Sequence, residues 1–326
     1  MTTGVPIVST NEGELLRHSL PAVVAQPDVE IVVCDNASTD STVEVAREHG
    51  VRCVRFEERL DFCRAMNAAL RAVSGDTVLF VQPDCFLTPG FVEAARARLA
   101  DPRVGAVAPK LIRTMGPHEA DRLDLLDTAG MVVDRRRKNG LVGHGRPALA
   151  YDEPGEAFGA DGAAALYRRA ALEEAAIDGD VFDEDFVRWA SDADLAWRVR
   201  TLGWRCAYEP RAVAFHIRQY SPSTRPEMPE RDRAMQFRNR YLMIAKNDAW
   251  TDLVRDIPRI AAYEVLALGH VLLRERHLLR GYAETLRLLP RMLRKRRVLQ
   301  RRRRELAADG RPGAAAALPY ALEPRP

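Results

Sequence analysis

The chain has 326 residues, of which 47% are hydrophobic and 29% charged, and its formal net charge is +3. This balance is typical of a globular protein with one α/β domain and a smaller extension, and it excludes a disordered or collagen-like chain. The five cysteines are scattered and form no Cys-x-x-Cys pair, which argues against a disulfide framework or zinc site and favours a reducing cytosol.

Targeting and membrane signals are weak. The first residues lack the basic segment and apolar run of a signal peptide. The longest apolar stretch, near 260–273, contains Glu264 and His270 and is too short and too polar to span a bilayer. We therefore expect a cytoplasmic protein.

Strand and helix patterns alternate through the first hundred residues. The predicted strands are Val5–Ser9, Glu30–Cys34, Val51–Phe56 and Thr77–Val81, and the predicted helices are Glu12–Ala25, Ser41–His49 and Phe62–Val73. Such alternation predicts an α/β fold with a mostly parallel sheet flanked by helices. In such sheets, ligands bind beyond the carboxyl ends of the strands.

The later segments differ in character. Residues 111–225 are mixed and include a glycine-containing segment, an acidic cluster and a short strand, Ala212–Phe215. Residues 226–306 are rich in Arg and Leu and predict a helical extension. Residues 307–326 are rich in Ala, Pro and Gly and predict a disordered tail.

Two carboxylates follow predicted strands. Asp35 comes directly after the second strand, where it can accept hydrogen bonds from a nucleobase or ribose; the alternative is a capped turn. Asp84 follows the fourth strand and is suited to hold Mg²⁺ or Mn²⁺. The alternative at Asp84 is a Pro-Asp turn.

Further candidates lie in the second half of the chain. Asp192 and Asp194 begin a predicted helix, and one of them is suited to act as a general base. The alternative is that first-turn acids favour the helix dipole. His216 is a candidate metal ligand or a structural histidine, and Arg238 a phosphate clamp or part of a solvated helical face.

The order of these segments carries more information than any one of them. The motifs are Val8-Ser9-Thr10-Asn11, Val33–Asp40, Phe62–Asn67, Leu79–Asp84, Gly159–Arg169, Phe182–Phe186, Ser191–Arg198, Gly203-Trp204, Pro210, His216 and Arg238-Asn239. From Pro6 to about Tyr241, three quarters of the chain, this order resembles the inverting family 2 glycosyltransferases of the GT-A fold, especially the bacterial rhamnosyltransferase-like branch.

The resemblance implies transfer of a sugar from a nucleotide diphosphate donor, dTDP-rhamnose or a UDP-hexose, to a hydroxyl group of a glycan or polyprenyl-linked acceptor. Residues 1–110 would form the donor half of the domain, and residues 111–225 the acceptor and base half. The product would belong to cell-wall or polysaccharide biosynthesis.

The resemblance also implies roles for individual residues. Asp192 would be the base, Asp84 and His216 would hold the metal, and Asp35 would contact the nucleobase. The remaining donor-side residues would be Ser9, Asn11, Asn67 and Arg238, and the acceptor-side residues Asp161, Gly162, Trp189 and Asp194.

Three positions depart from the family pattern. Thr10 replaces a frequent aromatic, Gln82 replaces the usual Asp or Asn before Pro-Asp, and Ser191 replaces the acid before the base. These changes leave open a non-catalytic protein that binds nucleotide sugars. The presence of Asp84 and Asp192 favours an enzyme.

The basic segment has a separate interpretation. From Ile257 to Leu306, apolar residues alternate with arginines, for example Leu286, Leu289 and Leu293, as in an amphipathic helix on an anionic bilayer. This interpretation predicts peripheral attachment to the inner face of the cell membrane. The alternative is a packing helix with a solvated face, and nucleic-acid binding is disfavoured because no aromatics are interleaved.

Overall fold

The computed structural model describes residues 1–221 and 224–326. Its strands are β1 (Thr3–Ser9), β2 (Val29–Asp35), β3 (Arg52–Arg55), β4 (Thr77–Val81), β5 (Cys85–Leu87), β6 (Val104–Thr114), β7 (Arg122–Thr128), β8 (Met131–Val133), β9 (Asn139–Leu141), β10 (Gly155–Ala157), β11 (Ala164–Arg168) and β12 (Arg205–His216). Its α-helices are α1 (Gly13–Val24), α2 (Thr42–Glu48), α3 (Phe62–Arg71), α4 (Phe91–Ala97), α5 (Arg169–Ala175), α6 (Ser191–Thr201), α7 (Glu230–Asn247), α8 (Trp250–Leu273) and α9 (Leu279–Ala308).

One large sheet organises the domain, in the order β10-β12-β6-β11-β4-β1-β2-β3. Strands β3, β2, β1 and β4 are mutually parallel, β11 is antiparallel to β4 and β6, and β12 is parallel to β6. Short β5 pairs with β12, and β7 pairs with β6. The predicted mostly parallel α/β sheet is confirmed.

Apolar side chains cover both faces of the sheet, because successive strand residues point to opposite sides. On one face, Val5 and Leu79 pack with Leu16 of α1 and Phe91 of α4. The opposite face forms a larger core with helices α3, α6, α7 and α9, in which Trp197 is fully buried. The C-terminal helices therefore pack on the second face of the sheet.

The strand predicted at Ala212–Phe215 is longer in the structure and runs from Arg205 to His216. Its pairing with β6 is irregular between Glu209 and Val213. Pro210 lies in this interval, and a proline has no N–H to donate to the ladder. This interruption explains why the sequence pattern shows only the second half of the strand.

Helix α9 packs against the domain through part of its apolar surface. Leu288, Met292 and Leu299 are buried, whereas Leu286 and Leu293 are exposed. The packing-helix alternative therefore accounts for much of α9. In the described residues, no helix combines the length and apolarity needed to cross a bilayer.

The segment 307–326, for which the sequence predicts disorder, makes several contacts with the domain. The Tyr320 ring stacks on Phe158 and meets Trp197 edge-on, with ring centroids 6.1 and 5.6 Å away. Its hydroxyl donates to Asp248 at 2.8 Å, and Leu318 is buried. A few apolar anchors are enough to fix a segment whose composition shows no periodic pattern.

Candidate active site

The two predicted metal ligands, Asp84 and His216, meet where two strands end. Asp84 follows β4, and His216 is the last residue of β12. Strand β5 pairs with β12 so that Cys85 lies opposite His216. This register brings Nε2 of His216 to 3.6 Å from Oδ1 of Asp84.

The Asp84 carboxyl is largely buried and one of its oxygens has no hydrogen-bond partner in the described chain. Its Oδ1 is buried and accepts no hydrogen bond from any described residue, and burial raises the pKa of Asp84. No group of three or more His, Cys, Asp or Glu residues within 1–221 and 224–326 is arranged to hold a metal. A cation held by Asp84 and His216 therefore needs donor phosphates and water as further ligands, an arrangement common for Mg²⁺.

Asp127, which the sequence analysis missed, fixes His216. This fully buried residue of β7 lies 2.8 Å from Nδ1 of His216, so Nε2 is directed towards Asp84. Arg218 donates two hydrogen bonds to Asp127, at 2.7 and 2.8 Å. Burial opposes ionisation of Asp127, but hydrogen bonds from His144, His216 and Arg218 hold its pKa well below the usual range.

The same contacts set the charge of His216. Burial disfavours its charged form, but the hydrogen bond to Asp127 and the charge of Asp84 outweigh this and raise its pKa. The imidazole is therefore held between two carboxylates, one paired with Arg218 and one free to bind a cation. Metal ligation by histidine commonly uses such a carboxylate partner to fix the ring.

Arg218 connects this pair to the acceptor side. Its Nη2 also donates to Oδ2 of Asp161 at 2.9 Å, and Oδ1 of Asp161 accepts from the Ala163 backbone N–H at 2.9 Å. The next residue, Gly162, donates its backbone N–H to Oδ2 of Asp192 at 3.2 Å. The predicted acceptor-side segment and the predicted base are therefore adjacent.

Asp192 lies in the first turn of α6 and has no cationic side chain bonded to it among the described contacts. Burial, together with the charge of Asp161, raises its pKa to about 6, against the lowering effect of the Ala193 and Gly162 N–H groups. A carboxylate with this pKa is ionised at neutral pH and still basic enough to accept a proton.

Gly159 allows α6 to approach this segment closely. A Cβ added at Gly159 would lie 2.3 Å from Cβ of Ala196, well inside van der Waals contact. A larger residue there would push α6 outward and separate Asp192 from Gly162. Gly159 is therefore needed for α6 to pack close enough to hold Asp192 beside Gly162.

Asp194 was predicted on the acceptor side, and its contacts give it a structural role instead. It is fully buried and accepts hydrogen bonds from Arg198 at 3.0 Å, Lys246 at 2.8 Å and Asn247 at 2.9 Å. With its charge paired and its oxygens occupied, Asp194 ties α6 to α7. Asp192 and Asp194 therefore differ in their contacts, since Asp194 alone is bound by cationic side chains.

Trp189 precedes the base by three residues and is half-buried. Its indole Nε1 is buried without a hydrogen-bond partner in the described chain, and its ring meets Tyr220 edge-on, with centroids 6.1 Å apart. The Arg188 guanidinium lies 4.9 Å from the centre of its ring. The indole N–H is therefore a buried donor that no described residue satisfies.

On the donor side, Asp35 ends β2 and is fully buried. Its Oδ1 accepts from the Ser38 backbone N–H at 3.0 Å. Its Oδ2 lies 3.3 Å from Nε of Arg55 but accepts no hydrogen bond from the described residues. This buried free acceptor is the feature expected of a nucleobase contact.

Ser9 and Asn11 shape the loops around Asp35. The Ser9 hydroxyl lies 3.3 Å from the Thr42 hydroxyl and is buried. Asn11 has a φ of 56° and accepts from the Thr39 backbone N–H at 2.8 Å. Both residues therefore connect the loop after β1 with the loop after β2.

Asn67 and Arg238 were predicted to bind the donor, but their contacts are with the protein. Asn67 donates to and accepts from the Phe182 backbone, both at 2.8 Å. Arg238 donates to the carbonyls of Asp185 and Phe186 and to Glu284. Both residues hold the segment that leads to α6, so we assign them a positioning role.

Glu12 is a further residue that the sequence analysis missed. Burial and the charge of Asp84 raise its pKa to about 7. Its carboxylate accepts from the Thr10 backbone N–H at 3.3 Å. The only sequence signal for Glu12 is its position just after the first strand.

The mixed sheet, with acidic residues at the carboxyl ends of its strands, has the GT-A fold of glycosyltransferases. The model of glycosyl transferase family 2 matches residues 5–175, more than half of the chain. The chain belongs to this family.

Sequence relatives cover part of the chain. The uncharacterized protein MT1568 of Mycobacterium tuberculosis (strain CDC 1551 / Oshkosh) is 33% identical over 145 residues, which are 43% of each protein. The poly-beta-1,6-N-acetyl-D-glucosamine synthase of Staphylococcus epidermidis is 21% identical over 217 residues, 64% of this chain and 48% of that enzyme. The chain therefore matches less than half the length of these curated relatives.

Solved structures share the fold over nearly the whole chain. S. aureus TarS 1-349 in complex with UDP-GlcNAc has a TM-score of 0.61 at 16% identity, covering 95% of this chain and 90% of that one. Mannosyltransferase PcManGT from Pyrobaculum calidifontis, in complex with GDP-Man and Mn²⁺, has a TM-score of 0.51 at 20% identity, covering 97% and 76%. At these identities the likeness establishes the fold.

Proposed function

We propose that the protein transfers a sugar from a nucleotide diphosphate donor to an acceptor hydroxyl, with inversion at the anomeric carbon and with a divalent cation. One observation carries the proposal: the predicted metal ligand and the predicted base are connected by a network of hydrogen bonds, one 3.6 Å ion-pair contact and one peptide link. That network runs through Asp84, His216, Asp127, Arg218, Asp161, Gly162 and Asp192.

Asp192 is the proposed base. It removes the proton from the acceptor hydroxyl as the oxygen forms a bond to the anomeric carbon of the donor. The bond from that carbon to the diphosphate oxygen breaks, and its electron pair leaves with the diphosphate. Attack from the face opposite the leaving group inverts the configuration, and the diphosphate leaves without taking a proton.

Asp84 and His216 are the proposed ligands for Mg²⁺ or Mn²⁺. A bound cation would neutralise charge that develops on the departing diphosphate. Asp127 holds the imidazole with Nε2 towards Asp84, so its contribution is the orientation of a ligand. The orphan Oδ1 of Asp84 supports this assignment, since a buried acceptor without a partner is costly.

Asp35 is the proposed nucleobase contact, supported by its free buried Oδ2. We propose dTDP-rhamnose as the first donor to test, because the motifs resemble the rhamnosyltransferase-like branch, and UDP-hexoses as the second. The printed ligands of similar structures differ, UDP-GlcNAc for TarS and GDP-Man for PcManGT. A panel of donors is therefore required.

The acceptor is proposed to be a glycan or polyprenyl-linked sugar at the cytoplasmic side of the membrane, in cell-wall or polysaccharide synthesis. Trp189 supports a sugar acceptor, because an aromatic ring with an unpaired N–H suits a sugar with both apolar and hydroxyl surfaces. Its position three residues before Asp192 places this surface at the base.

The test measures the thermal unfolding midpoint with nucleoside diphosphates and nucleotide sugars, with and without Mn²⁺ or Mg²⁺. We expect a metal-dependent rise for one nucleobase, lost in Asp84→Asn and kept in the matched surface variant Asp76→Asn. The absence of a rise for every donor with both metals would contradict the proposed donor site.

The alternative is a protein that binds nucleotide sugars without turnover. Gln82 favours it, because this residue stands where the family usually has Asp or Asn and leaves Asp84 as the acid of that motif. Measuring whether the bound donor is transferred or hydrolysed distinguishes the two functions. A donor that raises the melting point but is neither transferred nor hydrolysed would support the non-catalytic function.

A further inference from the structure

Helix α8 presents its apolar side chains to solvent and its acidic side chains to the protein. Six apolar residues recur at helical spacing on one side, with exposed fractions from 44% to 72%. They are Trp250, Val254, Ile257, Val265, Leu268 and Leu272, and we call them the α8 apolar face. Single exposed apolar residues are ordinary, but a continuous stripe of this length marks an interaction surface.

Ion pairs fix this orientation. Asp256 is fully buried and pairs with Arg135 at 2.6 Å and with Arg137 at 2.9 Å. About two turns further along α8, Glu264 pairs with Arg240 at 2.6 Å. Rolling α8 to bury its apolar face would break these pairs and leave buried charges without partners, which is strongly destabilising.

The charges around the α8 apolar face are segregated by sign. The acids of residues 250–281 are buried or half-buried and paired within the protein: Asp252, Asp256, Glu264 and Glu275. The arginines of the same segment are exposed: Arg255, Arg259, Arg274, Arg276 and Arg280. The outer side of this segment therefore combines apolar and cationic groups.

A groove lies beside α8. It has a volume of about 530 Å³ and is lined by Asp134, Arg135, Arg136, Arg259, Ala262, Tyr263, Leu266 and Ala321. Arg135 pairs with Asp256 and Arg136 with Asp134, whereas Arg259 is exposed and lies 3.9 Å from Asp256. Arginine binds phosphate oxygens with two parallel N–H groups. Arg259 is therefore the lining arginine that can reach a phosphate beside the apolar side chains.

We propose that the α8 apolar face docks on a bilayer that contains anionic lipids, with its side chains in the interface and the arginines at the headgroup phosphates. An apolar stripe flanked by cationic side chains is the pattern of helices that lie in a membrane interface. A second copy of the chain fits less well, because a two-fold interface would bring the same arginines of both copies together.

This proposal narrows the sequence prediction to one helix. The prediction covered residues 257–306, which include most of α8 and nearly all of α9, and its examples, Leu286, Leu289 and Leu293, lie on α9. Helix α9 buries Leu288, Met292 and Leu299 in the core. Helix α8 instead buries two acidic residues, Asp252 and Asp256, and the apolar Val271. Substitution of Leu286 and Leu293 therefore provides a comparison between the two helices.

The experiment is vesicle flotation of the full chain with phosphatidylcholine vesicles and with vesicles that also contain phosphatidylglycerol. We expect preferential binding to the anionic vesicles. The triple variant Val254→Ser, Val265→Ser, Leu268→Ser should lower the partition coefficient about tenfold or more. Replacing Arg259, Arg274 and Arg280 by Gln should lower it about 100-fold on anionic vesicles.

The matched control replaces three apolar residues of similar exposure elsewhere, Val24, Met115 and Leu149, by Ser. We expect the control, and the Leu286→Ser, Leu293→Ser variant, to float like the wild type. Cooperative thermal unfolding of every variant shows that each one is folded. Binding does not require donor or metal, so failure here is distinct from failure of the proposed transfer reaction.

Two results would overturn the proposal. One is a wild-type chain that does not float with anionic vesicles, or a control triple variant that loses binding as much as the α8 variant. The other is a wild-type dimer in light scattering that the α8 variant converts to a monomer, without vesicle binding by either. That second result would assign the face to a copy of the chain.

Discussion

Asp192 and Asp194 lie two residues apart on α6, and their surroundings are opposite. Asp194 is bound by Arg198, Lys246 and Asn247, and it is fully buried. Asp192 receives backbone N–H groups, and burial raises its pKa to about 6. The comparison teaches that a neutralised carboxylate stabilises the fold, whereas an unneutralised one remains available for chemistry.

The largest expected effect is on the rate of transfer by Asp192→Asn. Without the base, we expect the rate to fall about 1,000-fold, within the range usual for loss of a general base. Donor binding should persist, because Asp192 lies on the acceptor side. The measurements are single-turnover transfer and the donor-dependent rise of the melting point. A rate within a few-fold of wild type would remove Asp192 from the mechanism.

Asp194→Asn should act on stability rather than on chemistry. It leaves Lys246 and Arg198 buried with one fewer charged partner, and we expect the free energy of unfolding to fall by about 3 kcal/mol. Urea unfolding measures this, with Asp192→Asn as the matched variant on the same helix. An equal free energy of unfolding for the two variants would show that the paired Asp194 contributes no more to stability than the unpaired Asp192.

Asp127→Asn tests the orientation of His216. We expect apparent metal affinity to weaken about 10-fold to 100-fold, as is common when the partner of a metal-binding histidine is lost. A Mn²⁺ titration with donor present measures it, and the exposed Asp124→Asn in the same strand is the control. Unchanged affinity would mean that Asp127 serves packing alone.

The pH dependence tests the state of Asp192. The base must be ionised, so kcat/KM should fall about tenfold per pH unit below about pH 6. The free energy of unfolding should have the opposite dependence on pH. The folded protein keeps a proton on Asp192 between the ordinary pKa of 3.8 and about 6, so this group's contribution to stability declines as pH rises through that window.

The Asp192→Asn variant is the control for both profiles. It should lose the decline in stability across this window, and its free energy of unfolding at pH 7 should not fall below that of the wild type. A wild-type rate profile that stays flat down to pH 5 would contradict the raised pKa.

Local signals were sufficient for the sheet, and they also produced the site predictions at Asp35, Asp84 and Asp192. Asp35 and Asp84 were predicted because a polar residue directly after a buried strand is visible in the sequence. Asp192 was predicted from its position in a helix start and from the family resemblance. In each case the informative neighbours lie within a few residues along the chain.

Residues whose partners lie far along the chain were not predicted. Asp127 and Arg218 meet only through the pairing of β6 with both β7 and β12, which no local pattern encodes. Asn67 and Arg238 carry suitable groups for a donor, but distant backbone carbonyls occupy them. These hydrogen bonds join residues far apart in the chain, and no local sequence pattern encodes them.

The shared guanidinium of Arg218 has a consequence for redesign of the protein. Because it binds Asp127 behind the metal ligand and Asp161 beside the base, the donor and acceptor halves are joined by one side chain. An exchange of specificity segments with a relative should therefore move Asp127, Asp161, His216 and Arg218 together. Chimeras that divide this set are expected to leave one carboxylate without its cation.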